Sequence, residues 1–297
     1  MSQRGIALIQ VLIITFVLSL LGLYINQSVG EQVKITTSIQ NKFLMRLELE
    51  KTEADLLQAL LSNNKYPNKS ADNSITSKWN FYGKEFQLND NAYVTLTDLS
   101  SLMGLNISDA TLLKNVLLQI GVDDVSAREF VDSLADWKDK NDLSRLNGAE
   151  SAYYKQHKKS YVARNGFLQD PSEVALIRGG EQITPKLLNQ YFTTEIVAGF
   201  NPLNAPQKIL NAFINDENNI QKILQLREQG ALNSYAFYKL TGVEADEYIT
   251  FATGSKIKVQ LRVIYNGAQL TKTYTLDATP QSYTKPMVFS HISWNKN

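Results

Sequence analysis

The stretch IALIQVLIITFVLSLLGLYI, residues 6–25, decides the architecture of the N-terminal part of this chain. It contains no charged side chain, and a helix of about 20 residues spans the roughly 30 Å hydrocarbon core of a bilayer. Arg4 precedes the stretch, and Glu31 and Lys34 follow it. This charge distribution favours a cytoplasmic N-terminus. The stretch therefore predicts one membrane-spanning helix, over residues 6–26, with the bulk of the chain on the other side.

The helical pattern does not stop at the membrane. Apolar residues recur at three- and four-residue steps among charged ones up to about residue 62: Ile35, Ile39, Phe43, Leu47, Ala54, Leu57 and Leu61. One helix of roughly 85 Å is predicted, with a later part that is amphipathic and packs on a domain. A cleaved signal peptide is the alternative, because Ser28-Val29-Gly30 has the small-x-small form of a cleavage site. The apolar run, however, exceeds the usual 7–15 residues of such a peptide.

Arg4-Gly5, followed by Ile6-Ala7-Leu8-Ile9 and the apolar helix, resembles the class III signal of type IV pilins and type II secretion pseudopilins. The resemblance implies that prepilin peptidase cuts after Gly5, removes a leader of residues 1–5 and methylates the new N-terminus at Ile6. Most members carry Glu at the fifth mature position, where it pairs with the terminal amine of the subunit ahead, whereas this chain has Gln10. A subunit with nothing ahead of it has no use for that carboxylate. K-type minor pseudopilins also lack this Glu, so in this respect the chain resembles them. The resemblance implies that Gln10 marks a tip subunit.

The amino-acid composition excludes several classes of protein and of functional site. The chain has 297 residues, of which 43% are hydrophobic and 20% charged, as in folded globular proteins. Its 30 basic residues against 29 acidic ones provide no basic surface for nucleic acid, so no nucleic-acid partner is expected. With no Cys and two His, the chain lacks thiol nucleophiles, disulfides and thiolate zinc sites.

The rest of the chain divides into strands, helices and strands again. Short strands are predicted around Trp79–Tyr82 and Ala92–Thr97, and a hairpin with a type I′ turn at Asn266-Gly267 near the C-terminus. Between them lie six or seven short helices, for which the sequence offers capping boxes and glycine stops at Ser126–Glu129, Asp170–Glu173, Gly121, Gly179, Gly230 and Gly242. Proline is expected in a first helical turn after Thr184.

The predicted fold class is α+β: a long N-terminal helix, transmembrane and then amphipathic, packed on a small antiparallel sheet, with a large inserted α-helical domain. The expected organisation is a leader at 1–5, a transmembrane helix at 6–26, the pseudopilin helix and first strands at 27–106, the inserted domain at 107–242 and closing strands at 243–297. Tyr93–Asn106 and Phe200–Pro206 resemble two K-type motifs, and in the second Asn204 is expected to cap a helix.

One polar constellation is a candidate metal site. Asp136-Trp137-Lys138-Asp139-Lys140-Asn141-Asp142 is followed by Asn147-Gly148-Ala149-Glu150 and Tyr153-Tyr154. It is not an EF-hand, because Leu143 and Ser144 stand where an acidic residue and glycine are required. A solvated helix end is the alternative interpretation. The segment resembles the calcium-binding stretch of K-type pseudopilins, which implies Ca²⁺ held by residues from the set Asp136, Asp139, Asn141, Asp142 and Glu150.

The resemblance implies a minor pseudopilin at the tip of the type II secretion pseudopilus, which initiates or caps its assembly for protein export across the outer membrane. Such a protein is not an enzyme; it is anchored in the inner membrane with its globular part in the periplasm. Its partners are other minor pseudopilins and the prepilin peptidase. A minor tip pilin of a type IV pilus, with the same leader, helix and Gln10, is one alternative. The other is a membrane-anchored periplasmic enzyme, although the carboxylate pairs lie beside no recognisable catalytic motif.

Overall fold

A computed structural model describes residues 4–66, 75–279 and 285–295, with side chains from residue 7 onward in the first segment. The predicted long helix is present as α1, Arg4–Ser62, an unbroken run of 59 residues or about 88 Å. Gly5 and Ile6 lie in its first turn, where only the backbone is described, and residues 1–3 lie outside the described residues. The apolar stretch at its start is long and apolar enough to cross a membrane and is not buried against the protein.

The face of α1 that packs on the domain is largely not the predicted one: Leu57 of the predicted stripe packs against the core, but Ala54 and Leu61 are exposed. Met45, Leu49, Leu56 and Leu60 are buried against the sheet, whereas Ile35, Ile39, Phe43 and Leu47 are exposed. Successive helical residues are about 100° apart, so Met45 points about 200° away from Phe43. The helix thus carries two apolar faces. The sequence pattern identified one of them, and the sheet covers the other.

The sheet has five antiparallel strands in the order β1-β2-β5-β6-β7. Their bounds are β1, Phe86–Gln87; β2, Ala92–Asp98; β5, Lys256–Tyr265; β6, Ala268–Asp277; and β7, Val288–Trp294. A separate parallel pair is formed by β3, Met103–Gly104, and β4, Phe192–Thr193. The predicted hairpin is confirmed, because β5 alternates between buried and half-buried residues and the turn residues Asn266 and Gly267 have φ of 48° and 77°.

Trp79–Tyr82 does not form the predicted strand. A short helix, α2, Ile75–Lys78, precedes the segment, and only Tyr82 makes a bridge, to Thr97. The side chain of Asn80 bonds to both backbone groups of Lys84, at 2.7 and 3.1 Å, and so bends the chain into a turn. Trp79 and Phe81 are nevertheless buried. Asn80 is buried between them, so the alternation of apolar and polar residues in the sequence, which produced the wrong prediction, does not correspond to the two faces of a strand.

Seven α-helices lie between β2 and β5 in the described part of the chain, in agreement with the predicted six or seven. They are α3, Ala110–Ile120; α4, Asp124–Lys138; α5, Ser151–Gln156; α6, Pro185–Tyr191; α7, Gln207–Ile214; α8, Glu217–Glu228; and α9, Ser234–Thr241. Gly121 and Gly242 end α3 and α9 in the left-handed conformation, as predicted. Thr184 caps α6 with Pro185 in its first turn, also as predicted.

The other helix-end predictions had mixed outcomes. The capping box of Asp170 and Glu173 is confirmed, although it opens a 3-10 helix, Pro171–Leu176. Gly230 follows α8 at φ 66°, whereas Gly179, at φ 81°, joins two 3-10 helices and ends no α-helix. The predicted box at Ser126 is wrong, because α4 begins at Asp124 and Asp123 accepts the N–H groups of Val125 and Ser126. An acidic residue three positions earlier supplies the cap instead.

Asn204 does not cap α7. The residue before the helix is Pro206, which makes no side-chain capping bond, and the amide of Asn204 donates to Asp98 and Thr253. A buried carboxylate thus competes successfully for a side chain that local pattern assigned to a helix end. The same carboxylate forms the junction described below.

Two groups of buried apolar residues hold the structure together. One combines α1 with the sheet, from Met45 to Ala278, and the other lies among the helices, from Met103 to Phe237. The mixed α+β class, with a long N-terminal helix on an antiparallel sheet and a large set of helices, is confirmed.

Candidate functional site

The end of α4 carries the first two residues of the candidate metal site. Asp136 lies in the last turn of α4 with a fully buried side chain, and Asp139 is the residue at which the helix ends. Between them, Trp137 packs edge-on against Tyr154 of α5, with ring centroids 5.4 Å apart. Aromatic packing therefore fixes the orientation of this helix end, and with it the direction in which both carboxylates point.

The chain then loops back to α5, where Glu150 is the N-terminal cap. Its Oε2 accepts the N–H of Ser151 at 3.3 Å. Asp132 holds the loop from the other side by accepting both the backbone and the side-chain N–H groups of Asn147, at 3.0 and 2.9 Å. Gly148 passes so close to Asp136 that a Cβ there would overlap the carboxylate. The site thus depends on a glycine for close approach of the loop.

One carboxylate oxygen from each of Asp136, Asp139 and Glu150 lies within 4.8 Å of the others; we call these three residues the acidic cluster. The structure therefore brings together three of the five residues expected to bind metal. Asn141 contacts the acidic cluster through its side-chain NH₂ group, which donates to Asp139 Oδ1 at 2.9 Å. The Oδ1 of Asn141 accepts the N–H of Leu143. Asp142 is exposed.

Arg145 places a positive charge inside the acidic cluster. Its Nη1 lies 2.6 Å from Asp136 Oδ1 and 2.8 Å from Asp139 Oδ2, and these hydrogen bonds raise the pKa of Arg145. Its backbone N–H also donates to Asp136 Oδ2 at 3.1 Å. Three carboxylates against one guanidinium leave the cluster short of positive charge.

Glu150 shows the effect of that shortage. The residue is 3% exposed, and its Oε1 has no hydrogen-bond partner. Burial raises the pKa of Glu150, the N–H of Ser151 opposes the shift, and the charges of Asp136, Asp139 and Asp142 add to it. A buried, unpartnered carboxylate oxygen is costly. The donor set, all oxygen and largely carboxylate, fits the ligand preference of Ca²⁺.

Lys138, one of the two lysines in this segment, points away from the acidic cluster. Lys138 Nζ donates to the carbonyl oxygens of Leu105 and Asn106, at 2.7 and 3.0 Å. Burial, together with the charge of Arg145, lowers the pKa of Lys138 to about 8. Lys138 therefore ties α4 to the start of the helical part and does not neutralise the carboxylates.

A second polar site, which the sequence pattern did not reveal as a unit, surrounds Asp98 at the end of β2. This fully buried carboxylate accepts five hydrogen bonds: from Ser100 N (3.0 Å), Ser100 Oγ (2.5 Å), Gly254 N (3.2 Å), Asn201 Nδ2 (2.8 Å) and Asn204 Nδ2 (3.0 Å). We call this group the Asp98 cluster. It joins the sheet, the segment before α7 and the segment before β5, and it brings together residues of the two segments that resemble K-type motifs.

The remaining candidate surface is the face of α1 that the sheet leaves uncovered. Ile35, Ile39, Phe43 and Leu47 are between 49% and 63% exposed, and we call them the exposed stripe. They lie beyond the apolar stretch at 6–25, in which Gln10 is also exposed, and the polar residues Ser28, Glu31 and Gln32 separate the two. A group of exposed large apolar side chains on one helix face typically marks an interaction site.

The long apolar helix, its packing on an antiparallel sheet and its uncovered apolar face are the features of a pilin-like subunit with one N-terminal helix long enough to cross a membrane. Residues 92–194 match the family model "Type II secretion system (T2SS), protein K". The chain is 27% identical over 192 residues to type II secretion system protein K of Klebsiella pneumoniae and 26% identical over 221 residues to a putative protein K of Escherichia coli strain K12. The resemblance to K-type minor pseudopilins is thereby confirmed.

These alignments span 60% and 68% of this chain, and 58% and 67% of the Klebsiella and Escherichia proteins. Among solved structures, one chain of the GspK-GspI-GspJ complex from the type 2 secretion system of enterotoxigenic Escherichia coli shares the fold. The TM-score is 0.55 at 17% identity, with 88% of this chain and 99% of that chain covered. The match supports the architecture.

Proposed function

We propose that this protein is the tip subunit of a type II secretion pseudopilus and that it initiates or caps pseudopilus assembly for protein export across the outer membrane. The observation that carries the proposal is the pair of apolar faces on α1. One face holds the protein's own sheet, and the exposed stripe is left for neighbouring subunits. The match to protein K favours a secretion system over a type IV pilus.

Gln10 supports a position at the tip. An uncharged amide costs less in hydrocarbon than an ionised carboxylate, but it cannot form an ion pair with the terminal amine of a preceding subunit. Lateral contacts must then hold the subunit in place. Apolar helix faces associate by close packing within the bilayer and by burial of apolar area above it. We propose that the exposed stripe packs against the helices of other minor pseudopilins; a solved relative with this fold was crystallised as a three-protein complex.

Aspartate in the exposed stripe is expected to disrupt this association. Ile39→Asp and Phe43→Asp, separately and together, introduce a charge that would be buried without a partner in the assembled bundle. We expect recovery of co-purified minor pseudopilins from detergent-solubilised membranes to fall at least about tenfold for the double variant, which corresponds to about 1.4 kcal/mol.

Thr37→Asp is the matched control, because Thr37 is exposed on the same helix about 200° from Ile39. This variant should retain its partners. Undiminished recovery of partners with the double variant would show that the interaction surface lies elsewhere.

We further propose that prepilin peptidase cuts after Gly5 and methylates Ile6, which leaves the protein in the inner membrane with its globular part in the periplasm. Intact-mass analysis of the membrane-extracted protein is expected to show a methylated N-terminus at Ile6. Gly5→Leu should block processing, and Gly30→Leu, the matched change in the alternative small-x-small site, should not. A mature N-terminus at Glu31, lost in the Gly30 variant, would establish the signal-peptide alternative instead.

The acidic cluster is proposed to bind Ca²⁺. Asp136, Asp139 and Glu150 would hold the ion, with Asn141 orienting Asp139 from outside; the unpartnered Oε1 of Glu150 supports this assignment. Bound calcium would join α4 to α5 in a chain that has no cysteine and so no covalent cross-link.

A further inference from the structure

Arg145 lies where a bridging cation would bind in the acidic cluster. Its Nη1 contacts Asp136 Oδ1 and Asp139 Oδ2 at 2.6 and 2.8 Å. Calcium bonds carboxylate oxygens at 2.3–2.6 Å, so an ion shared by these two oxygens would occupy nearly the same volume as Nη1. Two cations in that volume would also repel each other strongly in a half-buried environment.

We propose that Arg145 is a tethered counter-ion that competes with calcium for the acidic cluster, so that the ion binds only after the guanidinium has left. This inference rests on the calcium site proposed above. The side chain has a route out, because 43% of it is exposed to solvent, whereas the side chain of Asp136 is fully buried. A charged guanidinium is readily solvated when it swings out, while Asp136 and Glu150 cannot follow.

Glu150 is the group that the guanidinium does not satisfy. The contacts of Nη1 are with Asp136 and Asp139, and Glu150 Oε1 has no hydrogen-bond partner. Arg145 therefore compensates only part of the negative charge, and a divalent ion that reaches all three carboxylates would compensate more. In the ion-free protein the internal cation partly neutralises the acidic cluster, and it sets a threshold concentration below which calcium does not displace it.

The gain in calcium affinity on removal of Arg145 depends on the fraction of molecules in which the guanidinium has left the acidic cluster. Calcium binds only that fraction, and the apparent dissociation constant is raised by its reciprocal. If the guanidinium is docked at least nine-tenths of the time, its removal tightens calcium binding about tenfold or more.

The test is calcium titration of the purified full-length protein in detergent, followed by calorimetry. Arg145→Gln is expected to bind Ca²⁺ at least about tenfold more tightly than the wild type. Lys140→Gln is the matched control, because it removes the same charge from an exposed neighbour that makes no ion pair with these carboxylates in the described structure. It should shift the affinity far less. Binding by the Arg145 variant alone would support the proposal in its strongest form.

Two outcomes of the titration overturn the inference. If the wild type binds calcium and the Arg145 variant binds no more tightly than the Lys140 variant, the competition is wrong while the calcium site stands. If neither the wild type nor the Arg145 variant binds, both proposals fail together. The two proposals are therefore separable.

A measurement on the unaltered protein does not depend on the variant folding. An arginine-specific dicarbonyl reagent modifies free guanidinium groups, and mass spectrometry quantifies each site. Saturating calcium is expected to increase modification of Arg145 but not of Arg128, which pairs with Asp124 at 2.7 Å on α4. Unchanged or lower modification of Arg145 with calcium bound would overturn the proposal.

Discussion

Replacing Asp98 with alanine is expected to lower the free energy of unfolding by at least about 3 kcal/mol, because the change leaves several buried donors without an acceptor. Five hydrogen bonds end on this fully buried carboxylate, three at Oδ1 and two at Oδ2, and three of the donors belong to the buried residues Ser100 and Asn201. Unfolding of the detergent-solubilised protein in denaturant measures the loss.

Asp109→Ala is the matched control. Asp109 is also an acidic residue that accepts a backbone N–H, from Leu112 at 2.7 Å, but it does so at the exposed start of α3. Loss of such a cap costs about 1 kcal/mol. Equal destabilisation by both variants would show that the Asp98 cluster is no more than another local turn.

Asp98→Asn refines the test. An amide keeps the size of the carboxylate but must place an NH₂ group against the donors on one side or the other. If the NH₂ group takes the place of Oδ1, it faces the donors of Ser100 and Gly254. If it takes the place of Oδ2, it faces the donors of Asn201 and Asn204. We expect a loss close to that of the alanine variant.

Calcium is expected to stabilise the protein by about 2.7 kcal/mol at a concentration one hundred times its dissociation constant. For a chain of this size that corresponds to a rise in melting temperature of roughly 5 °C or more. The comparison is between thermal unfolding in calcium and in chelator, with the full-length protein in detergent. No shift would leave the alternative of a solvated helix end standing.

Two variants identify the ligands. Glu150→Gln should lose the calcium shift without losing stability in chelator. A carboxyl whose pKa is raised on folding is charged at neutral pH at a cost in stability, and the amide removes that cost. Asp142→Asn should keep the shift, because Asp142 is exposed and outside the acidic cluster. Loss of the shift in the Asp142 variant alone would contradict the assignment.

The local parts of the fold could be predicted because each depends on neighbours in sequence. An uninterrupted run without proline predicts α1, and alternation followed by Asn266-Gly267 predicts the β5–β6 hairpin. Trp79–Tyr82 shows the limit of that reasoning, since apolar and polar residues alternate there in the sequence, yet Asn80 is buried and bends the chain into a turn through Lys84.

The sites depend on contacts that the sequence pattern does not contain. Asp98 meets Asn201 across 103 positions in the chain, so neither residue reveals the other. In the acidic segment the charges are visible in the sequence, but only the path of the loop shows that Arg145 turns inward while Asp142 stays outside. The face of α1 that packs was also undecidable, because both faces are apolar and only the sheet selects one.

The pairing of β2 with β5 places the whole helical segment at a position where insertions and deletions leave the sheet intact. All seven helices between the two strands are enclosed by Asp98 and Ile257, which are direct partners in the ladder. Antiparallel partners lie about 4.5–5.5 Å apart, a gap that an ordinary two-residue turn closes. In topological terms the helices occupy the loop of a β-hairpin. A segment of almost any size can be exchanged there without shifting the register of the sheet, so a pilin-like fold can acquire or shed such a helical unit in a single step.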